Sequence, residues 1–500
     1  MDMTAGRVAT AAVKTEHFDA LIAGAGISGV GGAYHLRQQC PGRSFVVLEA
    51  QDGFGGTWRT HRFPGIRSDS DLYTFGYRFK PWTGAPIASA GKILKYMGEV
   101  IEENGLARHI RYRHRIVSAS WSTGDRRWMI EAERTDTGER ARFSAGFLWM
   151  CQGYYRHSEG YTPQWPGMDA FRGRIVHPQT WPEDLDLAGK RVVVIGSGAT
   201  AATLVPALAG RCTQLTMLQR SPTFYITGRN AIELADMLRE LKIPEEWVHE
   251  IVRRKILNDQ AVFTRRARHE PEAVKLELLA GVRKYLGEDF DVEKHFTPRY
   301  RPWRQRIAFI PDGDLFRAIR DGKASVVTDE IDAFTGSGIR LRSGATLDAD
   351  VIVTATGFTL NVLGDIAFAI DGRPLDFARS VTYRGAMFSG VPNMAWVFGY
   401  FRASWTLRAD LIADFVCRLL KHMDARGAGV VVPALREDEK DMPLLPWVDP
   451  ENFNPGYVMR GVDLLPKQGD RMPWRHTQDY WSDKDELPVA DLDDGTLVYR

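Results

Sequence analysis

Two glycine-rich loops constrain the fold of this chain more than any other feature. The first is Gly24-Ala-Gly26-Ile-Ser-Gly29 and the second is Gly196-Ser-Gly198-Ala-Thr-Ala201. Each follows a short apolar run and opens a helical pattern, which predicts a βαβ unit whose loop binds the diphosphate of a dinucleotide. The glycines permit a tight turn and close backbone approach, and the helix N-terminus adds partial positive charge. The expected fold class is therefore α/β, with two Rossmann-like dinucleotide-binding domains.

The strands that complete the two units end in different residues. The first ends at Glu49, which lies 49 − 29 = 20 positions after the last glycine of its loop. A carboxylate at this place accepts hydrogen bonds from a ribose. The second strand ends at Gln219, and Arg220 and Ser221 follow. A basic residue here suits a ribose 2′-phosphate, so the second site predicts NADPH, with a plain surface arginine as the alternative.

The remaining pattern suggests how the chain divides. Residues 17–158 and 370–500 are predicted to form one discontinuous domain, and residues 159–369 the other, with a helical insertion at 230–300. Strand-like segments at 110–120, 128–132 and 141–150 alternate like an antiparallel meander. A helix is expected over 404–426 with Ser404 as its N-cap. The tail beyond residue 436 is rich in Pro and Asp and is expected to pack irregularly or to be partly mobile.

Bulk composition excludes several classes of function. The chain has 65 basic and 63 acidic side chains, a formal charge of +2, so no overall field favours nucleic acid. Its four cysteines form no CxxC pair, which argues against a zinc site or redox dithiol, and no metal is expected. No run approaches the roughly 18 apolar residues of a membrane span, and the first 16 residues lack a signal-peptide core and suggest a loose tail. A cytoplasmic location follows as an expectation, with peripheral membrane attachment left open and oligomeric state not indicated.

The stretch 171–182 lies between the two loops and contains a Gly, two Pro and two bulky aromatic residues around one His. It is predicted to be an ordered linker, a hinge between the two domains, because this composition makes a poor helix and an interrupted strand. Two nucleotide sites alone leave disulfide reductases, flavin monooxygenases and oxidases open. The missing cysteine pair disfavours a reductase.

The stretch itself narrows the choice. Phe171-x-Gly173-x-x-x-His177-x-x-x-Trp181-Pro182 resembles the fingerprint of Baeyer–Villiger monooxygenases, which are class B flavoprotein monooxygenases. Residues 55–69 resemble the second fingerprint of that family, with Phe63 in place of its tyrosine. Residues 63–74, 196–201 and 218–223 are similar to the branch with the mycobacterial ethionamide-activating and long-chain alkane-utilisation monooxygenases. The resemblance covers roughly residues 17 to 480.

The resemblance implies FAD and NADPH as cofactors and assigns residues to each. FAD would be held by Gly24, Gly26, Ser28, Gly29, Glu49, Thr57, Trp58 and Val117. NADPH would be held by Gly196, Ser197, Gly198, Ala199, Thr200, Ala201, Ala202, Arg220 and Ser221, with Arg67, Ser68 and Asp69 near the nicotinamide. The domain linker would contain Phe171, Gly173, His177 and Trp181, with His177 a packed residue that couples the domains. One departure is Gln305, which stands where many relatives have a lysine, so NADPH selectivity would depend more heavily on Arg220.

The implied reaction begins when NADPH reduces FAD and the reduced flavin captures dioxygen as an anionic peroxide. That peroxide attacks a ketone, and rearrangement gives an ester or lactone. Arg306 would stabilise the negative charge, and Asp69 would orient Arg306. A hydrophobic ketone is the expected substrate. Two alternatives stay open: oxygenation of sulfur or nitrogen in sulfides, thioamides or amines, which needs a protonated peroxide, and a non-catalytic protein that holds FAD as a fixed group.

Overall fold

The computed structural model describes residues 14–500, and they form two α/β domains. The predicted loose tail lies outside the described residues except for its end, where Thr15 and Glu16 already belong to the first strand. Both predicted glycine loops connect a buried strand to a helix. The first unit consists of Thr15–Ala23, Ile27–Gln39 and Phe45–Leu48, and the second of Arg191–Ile195, Ala199–Leu208 and Gln214–Gln219. Within residues 14–500, no helix is long and apolar enough to cross a membrane.

The first domain is built on a nine-stranded sheet, here called the large sheet. Parallel strands at its centre are buried on both faces, which explains their unbroken apolar runs. The predicted meander joins the same sheet, and the chain returns late to add three more strands. In chain order the strands are Thr15–Ala23, Phe45–Leu48, Ile110–Arg111, His114–Ser122, Arg127–Arg134, Arg140–Met150, Ala367–Ile370, Arg373–Pro374 and Met394–Trp396. Because Ala367 already pairs with Ser118, the return to the first domain begins slightly before the predicted residue 370.

One face of the large sheet is covered by helices Ile27–Gln39, Ala90–Glu103 and Trp405–Ala425. Ser404 does stand at the N-cap of the last of these helices, but its side chain makes no capping bond. Its hydroxyl instead bonds the hydroxyl of Thr74 at 2.7 Å. The tail beyond residue 436 packs tightly in part, since Trp447 and Trp474 are fully buried. Its strands and α-helices are Leu445–Pro446, Gly456–Met459, Lys467–Gln468, Tyr480–Glu486 and Leu497–Tyr499.

The second domain has an all-parallel five-stranded sheet, here called the small sheet. Its strands in spatial order are Ser325–Thr328, Gln214–Gln219, Arg191–Ile195, Val351–Thr354 and Arg174–Val176. The smaller paired strands of this half are Tyr225–Gly228 with Ala308–Pro311, and Ile331–Thr335, Gly338–Leu341 and Thr346–Asp348. Helix Asp314–Arg320 packs against Ala199–Leu208.

The predicted helical insertion exists but serves both domains. Its helices are Glu233–Glu240, Glu245–His269, Pro271–Leu286 and Val292–Phe296. Val248 and Val252 pack into the core of the first domain, where Arg253 also donates to the carbonyl of Tyr73 at 2.7 Å. Leu279 and Phe296 pack into the core of the second domain. The insertion therefore bridges the two halves, although it interrupts only the second in sequence.

The prediction of a hinge at 171–182 is wrong, because Arg174–Val176 forms the edge strand of the small sheet. Phe171 is buried in the core beneath that sheet, and Trp181 packs against the core of the same domain. The chain crosses between the domains elsewhere, where Tyr155–Gly160 pairs antiparallel with Phe358–Leu360. The Gly and Pro residues around Arg174–Val176 obscured its strand-forming sequence. Its partner strand is about 175 residues away in sequence.

His177 connects the edge strand to this crossover. Its Nε2 lies 3.2 Å from the carbonyl oxygen of Gly357, and a Cβ on Gly160 would lie 1.9 Å from its ring. Only glycine leaves room for the imidazole at Gly160. Burial lowers the pKa of His177, and the bond to Gly357 opposes this only in part. A neutral, packed side chain agrees with the prediction that His177 is neither acid nor base, and its part in coupling the domains stays a prediction.

Candidate active site

A cavity of about 1510 Å³ lies between the two domains and reaches both glycine loops. Ligands of open α/β sheets bind at the carboxyl ends of parallel strands, and both loops follow such ends. Most of the predicted site residues line it. They are Gly24, Gly26, Ser28, Glu49, Thr57, Trp58, Arg67, Ser68, Asp69, Val117, Gly196, Ser197, Gly198, Ala199, Thr200, Arg220, Ser221 and Arg306.

The first loop has the geometry of a diphosphate site. Within residues 14–500, no side chain caps helix Ile27–Gln39, whose N-cap is Gly26, so its first backbone N–H groups are available to a ligand. A Cβ on Gly29 would lie 1.8 Å from the carbonyl oxygen of Gly24. Gly29 therefore supports the loop by close packing and does not itself line the cavity. The hydroxyl of Ser28 accepts a 2.8 Å bond from the indole of Trp405, which anchors the loop to the long helix.

Glu49 is buried at the cavity wall, with only 5% of the residue exposed. Its Oε2 accepts a bond from the backbone N–H of Ala25 at 2.7 Å, and its Oε1 accepts one from Gln51 at 2.8 Å. Burial raises the pKa of Glu49, while the N–H groups of Gln51 and Ala25 oppose the shift. Each carboxylate oxygen keeps a second lone pair, which suits a ribose hydroxyl.

Val117 is the extra residue of a β-bulge, since Ile116 pairs with Ala132 and Ser118 with Glu131. A bulge leaves the backbone of the inserted residue out of the ladder. Val117 lines the cavity, and its predicted backbone contact with adenine stays a prediction.

The cavity wall around Thr57 is supported by a chain of hydrogen bonds. The Tyr155 hydroxyl donates to Thr57 Oγ1 at 2.8 Å and lies 3.1 Å from His61 Nε2. The pKa of His61 is lowered to about 4, mainly by burial and to a smaller extent by the nearby His157 and His177. A neutral His61 can donate one proton to Tyr155, which keeps the Thr57 hydroxyl oriented. Trp58 packs edge-on against Phe75 beside this chain.

The second loop is more open. Helix Ala199–Leu208 has Gly198 as its N-cap and also has no side-chain cap within residues 14–500. The Ser197 hydroxyl bonds Thr223 Oγ1 at 2.9 Å and the Ser221 carbonyl at 3.1 Å. Arg220 is exposed, and its side chain has no hydrogen bond or ion pair with any residue from 14 to 500.

Two residues predicted to hold NADPH do not face the cavity. Ala201 and Ala202 are buried between helix Ala199–Leu208 and the small sheet, where their side chains form part of the core. The prediction assigned every residue from 196 to 202 to the NADPH site. In the structure the helix begins at Ala199, so one face of its first turns points to the sheet.

Arg306 and Asp69 form the charged centre of the cavity. Arg306 Nε donates to Asp69 Oδ2 at 2.8 Å and Nη2 donates to Oδ1 at 3.0 Å, although 237 positions separate the two residues. The side chains keep 34% and 27% of their surface exposed, on the cavity side. The charge of Asp69 raises the pKa of Arg306. Burial alone would raise the pKa of Asp69, but Arg306 outweighs it and the pKa is lowered.

Arg67 is already paired in the structure. Its guanidinium makes a bidentate ion pair with Asp314, with Nη2 to Oδ1 at 3.1 Å, at the start of helix Asp314–Arg320. Ser68 is buried and donates its N–H to the Ala88 carbonyl. Phe63, in the same loop, packs into the core of the second domain. The loop 55–69 thus joins the two domains, and a contact of Arg67 with nicotinamide stays a prediction.

Sequence reasoning missed two tyrosines beside Arg306. Tyr154 and Tyr457 line the cavity, and their ring centroids lie 6.2 Å apart. Burial raises the pKa of both hydroxyls, so both stay protonated and can donate hydrogen bonds. Tyr154 could have been found, because it follows the carboxyl end of strand Arg140–Met150. Tyr457 comes from the irregular tail, which carries no local signal.

Comparisons with known proteins agree with this geometry. Residues 86–258 match the flavin-binding monooxygenase-like family and residues 22–82 an NAD(P)-binding Rossmann-like domain. The chain is 47% identical to the FAD-containing monooxygenase EthA of Mycolicibacterium smegmatis over 97% of each protein. It is 44% identical to the probable FAD-binding monooxygenase AlmA of Acinetobacter baylyi, over 97% of this chain and 96% of that one. An oxidised steroid monooxygenase bound to NADP superposes with a TM-score of 0.68 at 26% identity, covering 84% of this chain and 88% of that one.

The family model and the relatives show that this protein is a flavin monooxygenase that uses FAD and NADPH, and the cavity that joins the two glycine loops agrees with this class. The uncapped helix starts, the buried Glu49 and the free Arg220 fit these two cofactors. The chain belongs to the class B flavin monooxygenase family, in the branch that contains EthA and AlmA. It is therefore an enzyme, and the alternative of a non-catalytic flavin-binding protein is set aside.

Proposed function

We propose that this enzyme inserts one oxygen atom of dioxygen beside a ketone carbonyl and releases an ester or lactone. The observation that carries the proposal is the bidentate Arg306–Asp69 pair inside the shared cavity. FAD, when bound and reduced by NADPH, supplies the redox chemistry and the reaction with dioxygen. The chain's own residues bind the cofactors, exclude water and hold fixed charges.

The proposed part of Arg306 is electrostatic. A guanidinium stays charged at all ordinary pH values and presents a rigid fork of donors, so it stabilises developing negative charge without losing its proton. Asp69 accepts hydrogen bonds from Nε and Nη2, which fixes the orientation of the guanidinium. The other N–H groups of Nη1 and Nη2 remain available to a reacting oxygen. Nη1 has only a long bond of 3.4 Å to the Phe401 carbonyl.

The proposed cofactor contacts follow the two loops. Gly24, Gly26 and Ser28 hold the FAD diphosphate, Glu49 its ribose and the Val117 backbone its adenine. Thr57 and Trp58 lie along the flavin. Gly196 to Thr200 hold the NADPH diphosphate, and Arg220 with Ser221 holds the 2′-phosphate. These assignments are supported by the lining of the cavity and by the partners described above.

The test is product analysis with isotopically labelled dioxygen. The holoenzyme is given NADPH and, separately, cyclic, aromatic and long-chain ketones and a thioether, and products are identified by mass spectrometry. We expect one labelled oxygen in an ester or lactone. The matched control omits NADPH and should yield no labelled product. Labelled sulfoxide with no ester from any ketone would contradict the proposal and favour sulfur oxygenation.

A further inference from the structure

A second cavity, of about 500 Å³, lies next to the first and is called the basic cavity here. It is bounded by the end of helix Glu245–His269, the segment 301–303, residues 401–403 and parts of the tail. Phe401 and Ala403 line both cavities. The Phe401 carbonyl also accepts the bond from Arg306. A residue that lines the basic cavity is therefore in direct contact with the proposed catalytic arginine.

Its charge is strongly unbalanced. Five arginines line the basic cavity, against two carboxylates, Asp449 and Asp479, which leaves a surplus of three positive charges; the arginines are Arg265, Arg268, Arg301, Arg402 and Arg475. No arginine of this set forms an ion pair with any residue from 14 to 500. Both carboxylates already accept local bonds, Asp449 from the N–H of Glu451 and Asp479 from that of Trp481.

The inner two arginines are half-buried and only partly satisfied. Arg402 Nη2 donates to the Asn452 carbonyl at 2.5 Å, and Arg301 Nη2 donates to Asn452 Oδ1 at 3.1 Å. Arg402 Nε is buried and has no hydrogen-bond partner within residues 14–500. Burial, and then repulsion by Arg301 and Arg268, lowers the pKa of Arg402 to about 10. Leaving a buried charged donor unmatched is costly, so the site is built for a negative group.

Part of the wall of the basic cavity is aromatic. Phe401 stacks on Phe453 with ring centroids 4.8 Å apart, and the Arg402 guanidinium lies 5.5 Å from the Phe453 ring centroid. Trp303, Trp447 and Trp481 belong to the same aromatic part of the wall. A volume of this size holds a drug-sized ligand. Aromatic walls around a cluster of guanidinium groups suit an apolar chain that ends in an anion.

We propose that the basic cavity is the outer part of the substrate site and binds the carboxylate of a long-chain oxo acid whose ketone lies at Arg306. The proposal rests on the proposed function and deepens it by naming the substrate class. Arg301 and Arg402 form the anion contact, and Arg265, Arg268 and Arg475 at the mouth attract the negative group.

Kinetics with a matched substrate pair test the proposal. The holoenzyme is given a long-chain methyl ketone with a terminal carboxylate and, separately, the methyl ester of the same compound. The measured quantity is the ratio of kcat/KM for acid over ester. In Arg402→Gln this ratio should fall about tenfold to a hundredfold, the loss expected for one charge-assisted contact. The exposed Arg379→Gln, which does not line the basic cavity, is the matched control and should keep the wild-type ratio.

Because Arg402 is partly buried, Arg402→Gln could disturb folding. A second variant therefore tests the same site through exposed residues. Arg268→Gln/Arg475→Gln changes only exposed residues and should also lower the ratio. Binding is measured separately as the rise in melting temperature of the holoenzyme with dodecanoate compared with dodecanol. We expect a rise with dodecanoate that shrinks in both variants.

The outcomes separate the two proposals. If ketones are oxygenated but the acid-to-ester ratio is the same in all variants, the basic cavity is not the carboxylate site and the proposed function stands. If dodecanoate stabilises the enzyme through these arginines but no ketone is oxygenated, the carboxylate site stands and the proposed function fails. A larger rise with dodecyl phosphate than with dodecanoate would overturn the assignment to a carboxylate.

Discussion

The two glycine loops share a sequence pattern but differ in how the fold encloses them. At the third position the first loop has Gly29, where a Cβ would overlap the Gly24 carbonyl, and the second has Ala201, which fits in the core. The charged residue of the first site, Glu49, is buried and bonded to the backbone, whereas Arg220 of the second site is exposed. A closed site suits a cofactor that stays bound through many turnovers. An open site suits one that must enter and leave.

The sharpest test of this difference is Gly29→Ala. The Cβ would meet a backbone oxygen at 1.8 Å, so the helix must move away from the loop and the diphosphate site is lost. We expect purified protein with little or no flavin absorbance and no NADPH oxidation. The control Gly42→Ala adds the same atom where nothing lies within 4 Å, and should retain full flavin content. Normal flavin content in Gly29→Ala would show that the first loop tolerates the added Cβ and is not tightly packed around the cofactor.

The next prediction concerns Arg306, where the two halves meet. Arg306→Ala should still bind FAD and oxidise NADPH, because it leaves both loops intact. Ester formation should fall by about a hundredfold to a thousandfold, the usual effect of removing one group that stabilises developing charge. Ester yield and NADPH consumption are measured together. The exposed Arg299→Ala, in the same segment, is the control. Unchanged ester yield in Arg306→Ala would remove Arg306 from the mechanism.

Arg220 tests the open site. Loss of one charge-assisted contact costs about 1.5 to 3 kcal/mol, so the preference for NADPH over NADH in Arg220→Ala should narrow by roughly tenfold to a hundredfold. The ratio of kcat/KM values for the two cofactors measures this, and flavin content should not change. Arg211→Ala, an exposed arginine before the same strand, is the control. An unchanged ratio would mean that other residues select the cofactor.

The smallest expected effect comes from His61, beside the crossover between the sites. Its folded pKa of about 4 lies below the usual unfolded value, so the unfolded chain binds more protons and stability falls as pH decreases below about 6.5. Between pH 7.5 and pH 5.5 this residue should cost about 1.4 kcal/mol of the free energy of unfolding. In His61→Phe the loss over that interval should shrink by about this amount, measured by urea unfolding.

The matched control for this prediction is His17→Gln, which changes an exposed histidine of the first strand. It should leave the dependence of stability on pH close to that of the wild type. If His61→Phe and the wild type lose the same free energy over the interval, His61 does not remain neutral in the folded enzyme.

Local sequence pattern was sufficient for much of the fold. The meander and both βαβ units lie where their apolar spacing predicted them. It also predicted a ribose contact for Glu49 and a 2′-phosphate contact for Arg220, because each residue is a local feature of a strand end. Both contacts stay predictions. The resemblance named Arg306 and Asp69, and the fold brings them together. A cytoplasmic location stays a prediction.

Long-range packing was needed for the rest. No local pattern shows that Arg174–Val176 pairs with a strand about 175 positions later, so the stretch 171–182 was mistaken for a hinge. Nor does it show that Tyr457 from the tail reaches Arg306, or that Arg301 and Arg402 share a second cavity. Periodicity reports which face of an element is buried. The partner of that face depends on the free energy of the whole packed chain, and so it becomes visible only in the folded structure.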